Sequence, residues 1–573
     1  MSVVVGITNS KDSGCALIKD GVLLAAANEE RFNREKLTQE FPYRSLSYVL
    51  AEANLTIEDV DCFGVGMWSA TSPPWAFPAF VNECLDRSEK KPDLIPLIRE
   101  RFNASLQSDS RKRQLLFDGL DSLGIEKSKI VGCDHHLAHA ITASYFSPYS
   151  EAIVLTMDGR GDHQSSSLRY WFRDEGFQFI HGSSELSSLG AFYGWVTGYL
   201  GFTPDKHEGK VTGLAANGIN GDAVKSIFSE FLFLSEGDIV SVLGDCYSAF
   251  MRSELPSLRQ KLKPFSREDV AAGAQSHLED LVKNYLAYHV KSFGKLDSGV
   301  NLALSGGIFA NVRLNLSLKD LDFVNSLYVF PHMGDGGLSV GGAAFASLKL
   351  GDSIKPMRDA YLGPSPNSSK KEILDICNVN DLFLEEFDSE SFLAKKIAIW
   401  LDNEEIIGLC QGRMEFGPRA LGNRSILANP LVENISSILN ERLNRSDFMP
   451  FAPVILKEKA SSLLCSWDES CMVSQYMTCC YKCKPLLSKM APSIVHADNT
   501  ARPQIADKSI NSLYHAILKE FDALSSCPVL INTSFNLHET PIVESSAQAI
   551  DVLLKGGVDR VIIGDRLVVS RPK

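Results

Sequence analysis

Short apolar runs separated by polar, glycine-bearing turns recur along the chain and predict an α/β protein. Val3 to Ile7 predicts a strand and Asn9 to Ser13 a polar turn. Cys15 to Leu17 predicts a second strand, and Asp20-Gly21 marks a tight hairpin before Val22 to Ala25. Further on, residues 44–60 predict a helix, Phe63 to Met67 a buried strand, residues 67–78 an irregular loop, and about 86–124 a polar helix. Ala152 to Leu155 reads as a buried strand whose carboxyl end carries Asp158-Gly159, and residues 267–294 as an amphipathic helix. Leu302 to Leu304 runs into Ser305-Gly306-Gly307, and Val329-Phe330 runs into Gly334-Asp335-Gly336-Gly337. Both are strand–glycine–helix junctions.

The pattern is interrupted by a Pro/Ser-rich run from Gly363 to Lys371 and resumes with a helix from Ser391 to Asp402 and a core strand at Ile406 to Cys410. Three segments follow: a first domain over 1–360, a linker or boundary over 361–385, and a second domain over 386–573. A length of 573 residues also exceeds what one core accommodates.

Charge narrows the partners. A net charge of −13 argues against a nucleic-acid binder. The amino terminus lacks the basic and apolar regions of a signal peptide, and no run approaches the roughly 20 apolar residues that span a bilayer. We therefore expect a cytoplasmic protein with no membrane partner and with reduced thiols. Cys465, Cys471, Cys479, Cys480 and Cys483 crowd together. With no second C-x-x-C beside Cys480 to Cys483, they read as free thiols rather than a zinc site.

Candidate chemistry begins at Asp134-His135-His136-Leu137-Ala138-His139. Histidines four apart stack on one helical face and can grip one divalent cation. Asp158 at a strand end is a third ligand and Asp335 a fourth. An i/i+4 pair taken alone fits a helix with core histidines equally well. The turns near 10 and 159 suggest phosphate contacts, Gly159 among them, and the repeated glycines between Ser188 and Ala215 beside Lys210 suggest a loop closing over a phosphate, although a close helix crossing would want the same glycines. Gly306, Gly307 and Asn311 suggest an adenosine turn, and the charge-dense run from Asn28 to Lys36 reads either as a solvated face or as a segment from which Lys36 or an Arg reaches a phosphate. The second domain offers Gln411 to Ser425, with three arginines and three glycines after a strand. Arg419, Arg424 and Ser425 are its anion candidates. Arg445, His496, Thr500, Arg502, Asn532, Thr533, Ser534 and Asn536 follow.

These motifs together resemble the NodU/CmcH carbamoyltransferase family over nearly the whole chain: His135 to Ala140, Gln411 to Ser425, His496 to Gln504 and Asn532 to Asn536. The resemblance implies a bilobal actin/sugar-kinase-like amino-terminal domain and a YrdC-like α/β carboxy-terminal domain. The latter would make carbamoyl adenylate from carbamoyl phosphate and ATP, with Mg. The former would pass the carbamoyl group to a hydroxyl of a small molecule or glycan. It further implies Fe(II) or another divalent metal on His135, His139, Asp158 and Asp335, and adenylate contact by Lys36. The family's usual His-Asp pair in the first turn is Lys11-Asp12 here, so Asp12 is the expected general base. His139 is counted with the catalytic residues. The competing readings are a tRNA threonylcarbamoyl-transfer enzyme and a non-catalytic nucleotide sensor. The acceptor and the oligomeric state, a homodimer included, stay open.

Overall fold

The computed structural model describes residues 2–66, 77–90, 92, 95–241, 256–295, 298–366, 368–445 and 451–572. The expected loop at 67–78 therefore falls almost wholly outside the described residues. The chain forms two compact units. The first comprises Met1–Ala26 with Gln39–Met357, and the second comprises Ala27–Thr38 with Arg358–Lys573.

The first unit carries two five-stranded sheets of the same plan. One is built from β1 (Val3–Thr8), β2 (Gly14–Lys19), β3 (Val22–Asn28), β4 (Cys62–Val65) and β5 (Ile130–Gly132), in the order β3-β2-β1-β4-β5. The other uses β6 (Glu151–Gly161), β7 (Gln164–Phe172), β8 (Gly176–Ser184), β11 (Val300–Ser305) and β12 (Val324–Val329), after a separate ribbon of β9 (Leu232–Ser235) and β10 (Asp238–Ser241). Its order is β12-β11-β6-β7-β8. In both, an antiparallel meander of three strands is extended by two parallel ones beside its first strand. Both sheets lie in one compact α/β unit.

Backbone crowding holds the elements at fixed distances. The helix Leu338–Lys349 lies so close to the first sheet that a Cβ on Gly64 would sit 2.1 Å from the Gly342 carbonyl oxygen. A Cβ on Gly341 would sit 2.4 Å from the Ala138 carbonyl oxygen, so the same helix is pressed on the helix His135–Tyr145. Glycine is required at both contacts.

The second unit holds an eight-stranded mixed sheet. Its strands are β13 (Phe383–Glu386), β14 (Ile407–Cys410), β15 (Arg424–Ala428), β16 (Ala452–Leu456), β19 (Gln504–Ala506), β20 (Val529–Ser534), β21 (Arg560–Ile563) and β22 (Leu567–Ser570). The pair β17 (Tyr481–Lys482) and β18 (Thr500–Ala501) stands apart, and the order is β13-β22-β21-β14-β15-β20-β16-β19. The strap Ala27–Thr38 belongs here: the Arg34 guanidinium donates to the carbonyls of Pro541 (2.6 Å) and Ile542 (2.7 Å), and Arg31 to that of Gly417 (3.1 Å).

Several expectations need correction. Segment 361–385 is no linker, because Ser369 and Glu372 close a capping box on the helix Lys370–Val379 and β13 pairs with β22. The helix at 44–60 stops at Glu52, where Asn54 turns left-handed, and the segment at 86–124 splits into Phe77–Lys90 and Ile95–Ser122 around Pro92. Residues 446–450, ahead of Phe451, lie outside the described residues. Among the described residues no helix is long and apolar enough to cross a membrane.

Candidate metal centre and anion site

Four side chains of the first unit converge. His135 opens its helix and His139 sits one turn later, both buried, with ring centroids 4.7 Å apart. Asp158 comes from β6, and Asp335 from the turn ahead of Leu338–Lys349. His139 Nε2 lies 3.2 Å from Asp158 Oδ2 and 3.8 Å from Asp335 Oδ1, and His135 Nε2 lies 3.7 Å from each. One ligand atom from each of the four falls within 4.8 Å of the others. Two donors bound at about 2.1 Å to one tetrahedral ion stand roughly 3.4 Å apart, so the spacing fits a single cation.

Supporting contacts orient each ligand. His139 Nδ1 faces Ser305 Oγ at 3.1 Å, while the Ser305 hydroxyl donates to the Met333 carbonyl, which leaves the Nε2 lone pair for the cluster. Ser10 donates its hydroxyl to Asp335 Oδ2 at 2.5 Å. The backbone N–H groups of Gly159 and Gly307 donate to Asp158 at 2.6 and 3.2 Å. The Nε2 atoms of His135 and His139 are buried and lack an aligned hydrogen-bond partner among the described residues, which fits a pair of nitrogens turned toward a shared cation. The chemistry of the donor set, two imidazoles and two carboxylates, suits a divalent first-row metal.

Charge follows geometry. Burial opposes protonation of His139, but Asp158 and Asp335 overcome it and raise its pKa to about 9. Burial likewise opposes ionisation of Asp158 and Asp335, and the two histidines hold both carboxyls below their usual range. His136 points elsewhere, to Thr156, and burial pushes its pKa far down. A cation must therefore displace a proton from His139 at any pH below about 9. For that proton alone, metal affinity should fall about tenfold per unit of falling pH. Calorimetry of metal-depleted protein titrated with Mn(II) in buffers of differing ionisation enthalpy should show proton release at pH 7 that fades above pH 9.

The other first-unit candidates scatter. Strand β6 does not end at Asp158 but runs to Gly161, with its pairing to β7 irregular between Met157 and Gly161. Lys210 lies on the helix Glu208–Ala215 rather than in a phosphate loop. Asn311 is consumed as a cap, accepting from Leu314 N–H and pairing with Gln275. A Cβ on Gly306 would meet the Met157 carbonyl oxygen at 2.1 Å, so this junction serves to buttress Asp158. Lys36 is exposed on the strap of the second unit, outside the unit that holds the cluster. Lys11 is exposed and ion-paired with Asp205 at 2.5 Å, so it is not the desolvated amine that a base would need.

In the second unit the arginines divide. Arg424 is fully buried and its guanidinium is spent on five carbonyls, those of Gln411, Gly412, Asn423, Pro364 and Glu544. Arg413 donates to Leu362 and Gly363 in the same way. The expected phosphate role of Arg424 therefore gives way to a structural one. Glu415 organises the same loop by accepting the N–H groups of Leu421, Asn423 and Arg424. Ser425 Oγ accepts from Gly422 N–H, and Asn532 is buried against Ala420 and Gln504, so neither reaches outward. Arg419 and Arg502 differ: burial lowers the pKa of both, and the charge of Arg502 lowers that of Arg419 further. Guanidiniums buried in this way suit the recognition of an anion's oxygens. Arg445 gathers Thr533, Ser534 and Asn536 at 2.7 to 3.4 Å, and His496 Nδ1 faces Thr500 Oγ1 at 2.9 Å. Of the five clustered cysteines, four are buried and Cys465 is partly so, all as free thiols.

Family models for a carbamoyltransferase amino terminus and a carbamoyltransferase carboxy terminus match residues 3–345 and 398–570. The chain belongs to the carbamoyltransferase family. Nodulation protein NolNO of Sinorhizobium fredii is 31% identical over 98% of this chain and 79% of its own length, and nodulation protein U of the same organism is 24% identical over 95% and 96%. The solved structure of T. kodakarensis HypF overlays 62% of this chain and 49% of that one, at 14% identity and a TM-score of 0.32. In this carbamoyltransferase-family chain, sequence reasoning passed over Ser10, Ser305 and His332. Ser305 was legible as the residue opening a Ser-Gly-Gly junction. His332 stands three residues before Asp335, and its Nε2 lies 3.1 Å from Asp12 Oδ2.

Proposed function

We propose that the protein is an ATP-dependent O-carbamoyltransferase. The second unit, read as YrdC-like, joins carbamoyl phosphate to ATP, giving carbamoyl adenylate and pyrophosphate. The first unit transfers the carbamoyl group to a hydroxyl of a small molecule or glycan. Supporting this reading are the family membership and, above all, the quartet of His135, His139, Asp158 and Asp335, which would hold Fe(II) or a related divalent cation. A cation there supplies Lewis-acid polarisation of the carbamoyl carbonyl.

The chain's own residues do the rest. Arg419 and Arg502 hold the carbamoyl phosphate anion, with His496 and Thr500 on the same segment as Arg502. Arg445 with Thr533 and Ser534, and the exposed Lys36 of the strap, take triphosphate oxygens of MgATP. In the first unit, Asp12 receives the acceptor's proton. The mixed anhydride matters because a neutral alcohol attacks it far more readily than it attacks carbamoyl phosphate.

Mixing metal-loaded protein, ATP and carbamoyl phosphate without acceptor should release pyrophosphate, and omitting carbamoyl phosphate should abolish the release. A protein that carries its metal and binds ATP yet releases no pyrophosphate would overturn the reading.

A further inference from the structure

The Asp12–His332 pair lies outside the metal quartet but is tied to it. Asp12 sits in the turn after β1 with a left-handed backbone (φ 66°), two residues from Ser10, whose hydroxyl is bound to Asp335. His332 lies in the segment that leads from β12 to Asp335. Each partner therefore reaches the quartet through one short stretch of backbone. The His332 side chain is 4% exposed and that of Asp12 15%, and His332 Nε2 stands 3.1 Å from Asp12 Oδ2. A buried imidazole facing a carboxylate at hydrogen-bond distance fixes the carboxylate's orientation, much as a carboxylate fixes an imidazole in other catalytic pairs. Lys11, the neighbouring cation on the same turn, is turned away toward Asp205.

We infer that His332 is the positioning residue for Asp12: it donates its Nε2 proton to Oδ2 and thereby aims the carboxylate at the acceptor hydroxyl. The inference rests on the transfer reading above. In the step it serves, Asp12 takes the proton of the acceptor O–H as the oxygen bonds to the carbamoyl carbon. The bond from that carbon to the adenylate's phosphoryl oxygen breaks, and AMP leaves with the electron pair. Acceptor and adenylate thus become carbamate ester and AMP, with one proton left on Asp12. A loose carboxylate would still be basic but poorly aimed, so the loss falls on kcat rather than on acceptor KM.

The test uses the full-length, metal-loaded protein with glycerol as the acceptor alcohol, reading carbamoylated glycerol by mass spectrometry and first-turnover pyrophosphate in parallel. His332→Ala should lower kcat for glycerol about 10- to 100-fold, with KM, metal content and the pyrophosphate burst unchanged. His332→Asn, which keeps an N–H donor, should recover part of the loss. Adding His332→Ala to Asp12→Asn should cost nothing more, because the imidazole acts only through that carboxylate. Additive losses in the double variant, or full activity in His332→Ala, would overturn the inference. A wild-type protein that releases pyrophosphate but carbamoylates no alcohol would instead refute the transfer reading itself.

Discussion

His139→Ala should strip the protein of its divalent cation and reduce carbamoyl transfer by at least about a hundredfold, while acceptor-free pyrophosphate release survives. His139 supplies the shortest approach in the quartet, 3.2 Å to Asp158, and the only ring there whose second nitrogen is held by the Ser305 hydroxyl among the hydrogen bonds described. Removing it leaves three donors and takes from the half-buried Asp158 its nearest imidazole, while Asp335 keeps His135 at 3.7 Å. The half-reaction split matters: the quartet belongs to the first unit and the arginine pair to the second. Metal analysis of the purified variant, alongside the two partial reactions, reads all three quantities. A variant that keeps its metal and its transfer rate would remove the quartet from the mechanism.

The largest stability effect is expected at Arg424. Arg424→Met keeps most of the buried volume but deletes every donor to the five carbonyls that surround the guanidinium. Breaking such a buried, charge-assisted set costs about 3–5 kcal/mol, enough to lower the denaturant midpoint of the second unit markedly. Arg424→Lys should recover little, since one ammonium cannot serve a planar fan of acceptors. Were Arg424 a phosphate ligand instead, the same change would raise KM for carbamoyl phosphate and leave the midpoint where it is. Denaturation followed by near-ultraviolet circular dichroism, with that KM measured in parallel, separates the outcomes.

The contrast between these two residues shows what was legible beforehand. The His135/His139 pair could be read because its spacing is local and helical, and Asp158 and Asp335 because each follows an apolar strand beside glycines. Arg424 looked like an anion ligand because sequence reports a charge but not what meets it. Two of its acceptors, Pro364 and Glu544, lie 60 and 120 positions away. The Pro/Ser run after Gly363 suggested a linker, although Ser369-x-x-Glu372 already spelled a helix start. The pairing of Phe383 with Ser570 could not be foreseen, because register between distant strands is set by the whole sheet. His332 and Asp12 meet for the same non-local reason. Repeated sheet order is a further feature that strand patterns alone conceal, since the meander and its parallel extensions are separated by long insertions.

The strap Ala27–Thr38 has a consequence for how such a molecule is made and divided. During synthesis on the ribosome it emerges early, yet the carbonyls of Pro541 and Ile542 that receive Arg34 are polymerised almost last. The carboxy-terminal sheet can thus fold on its own strands, but the unit around it is completed only by a peptide made at the outset. Splitting the gene between codons 357 and 358 would part the strap from its seat: the first product would carry its whole unit plus a strap without a seat, and the second would lack part of its own unit.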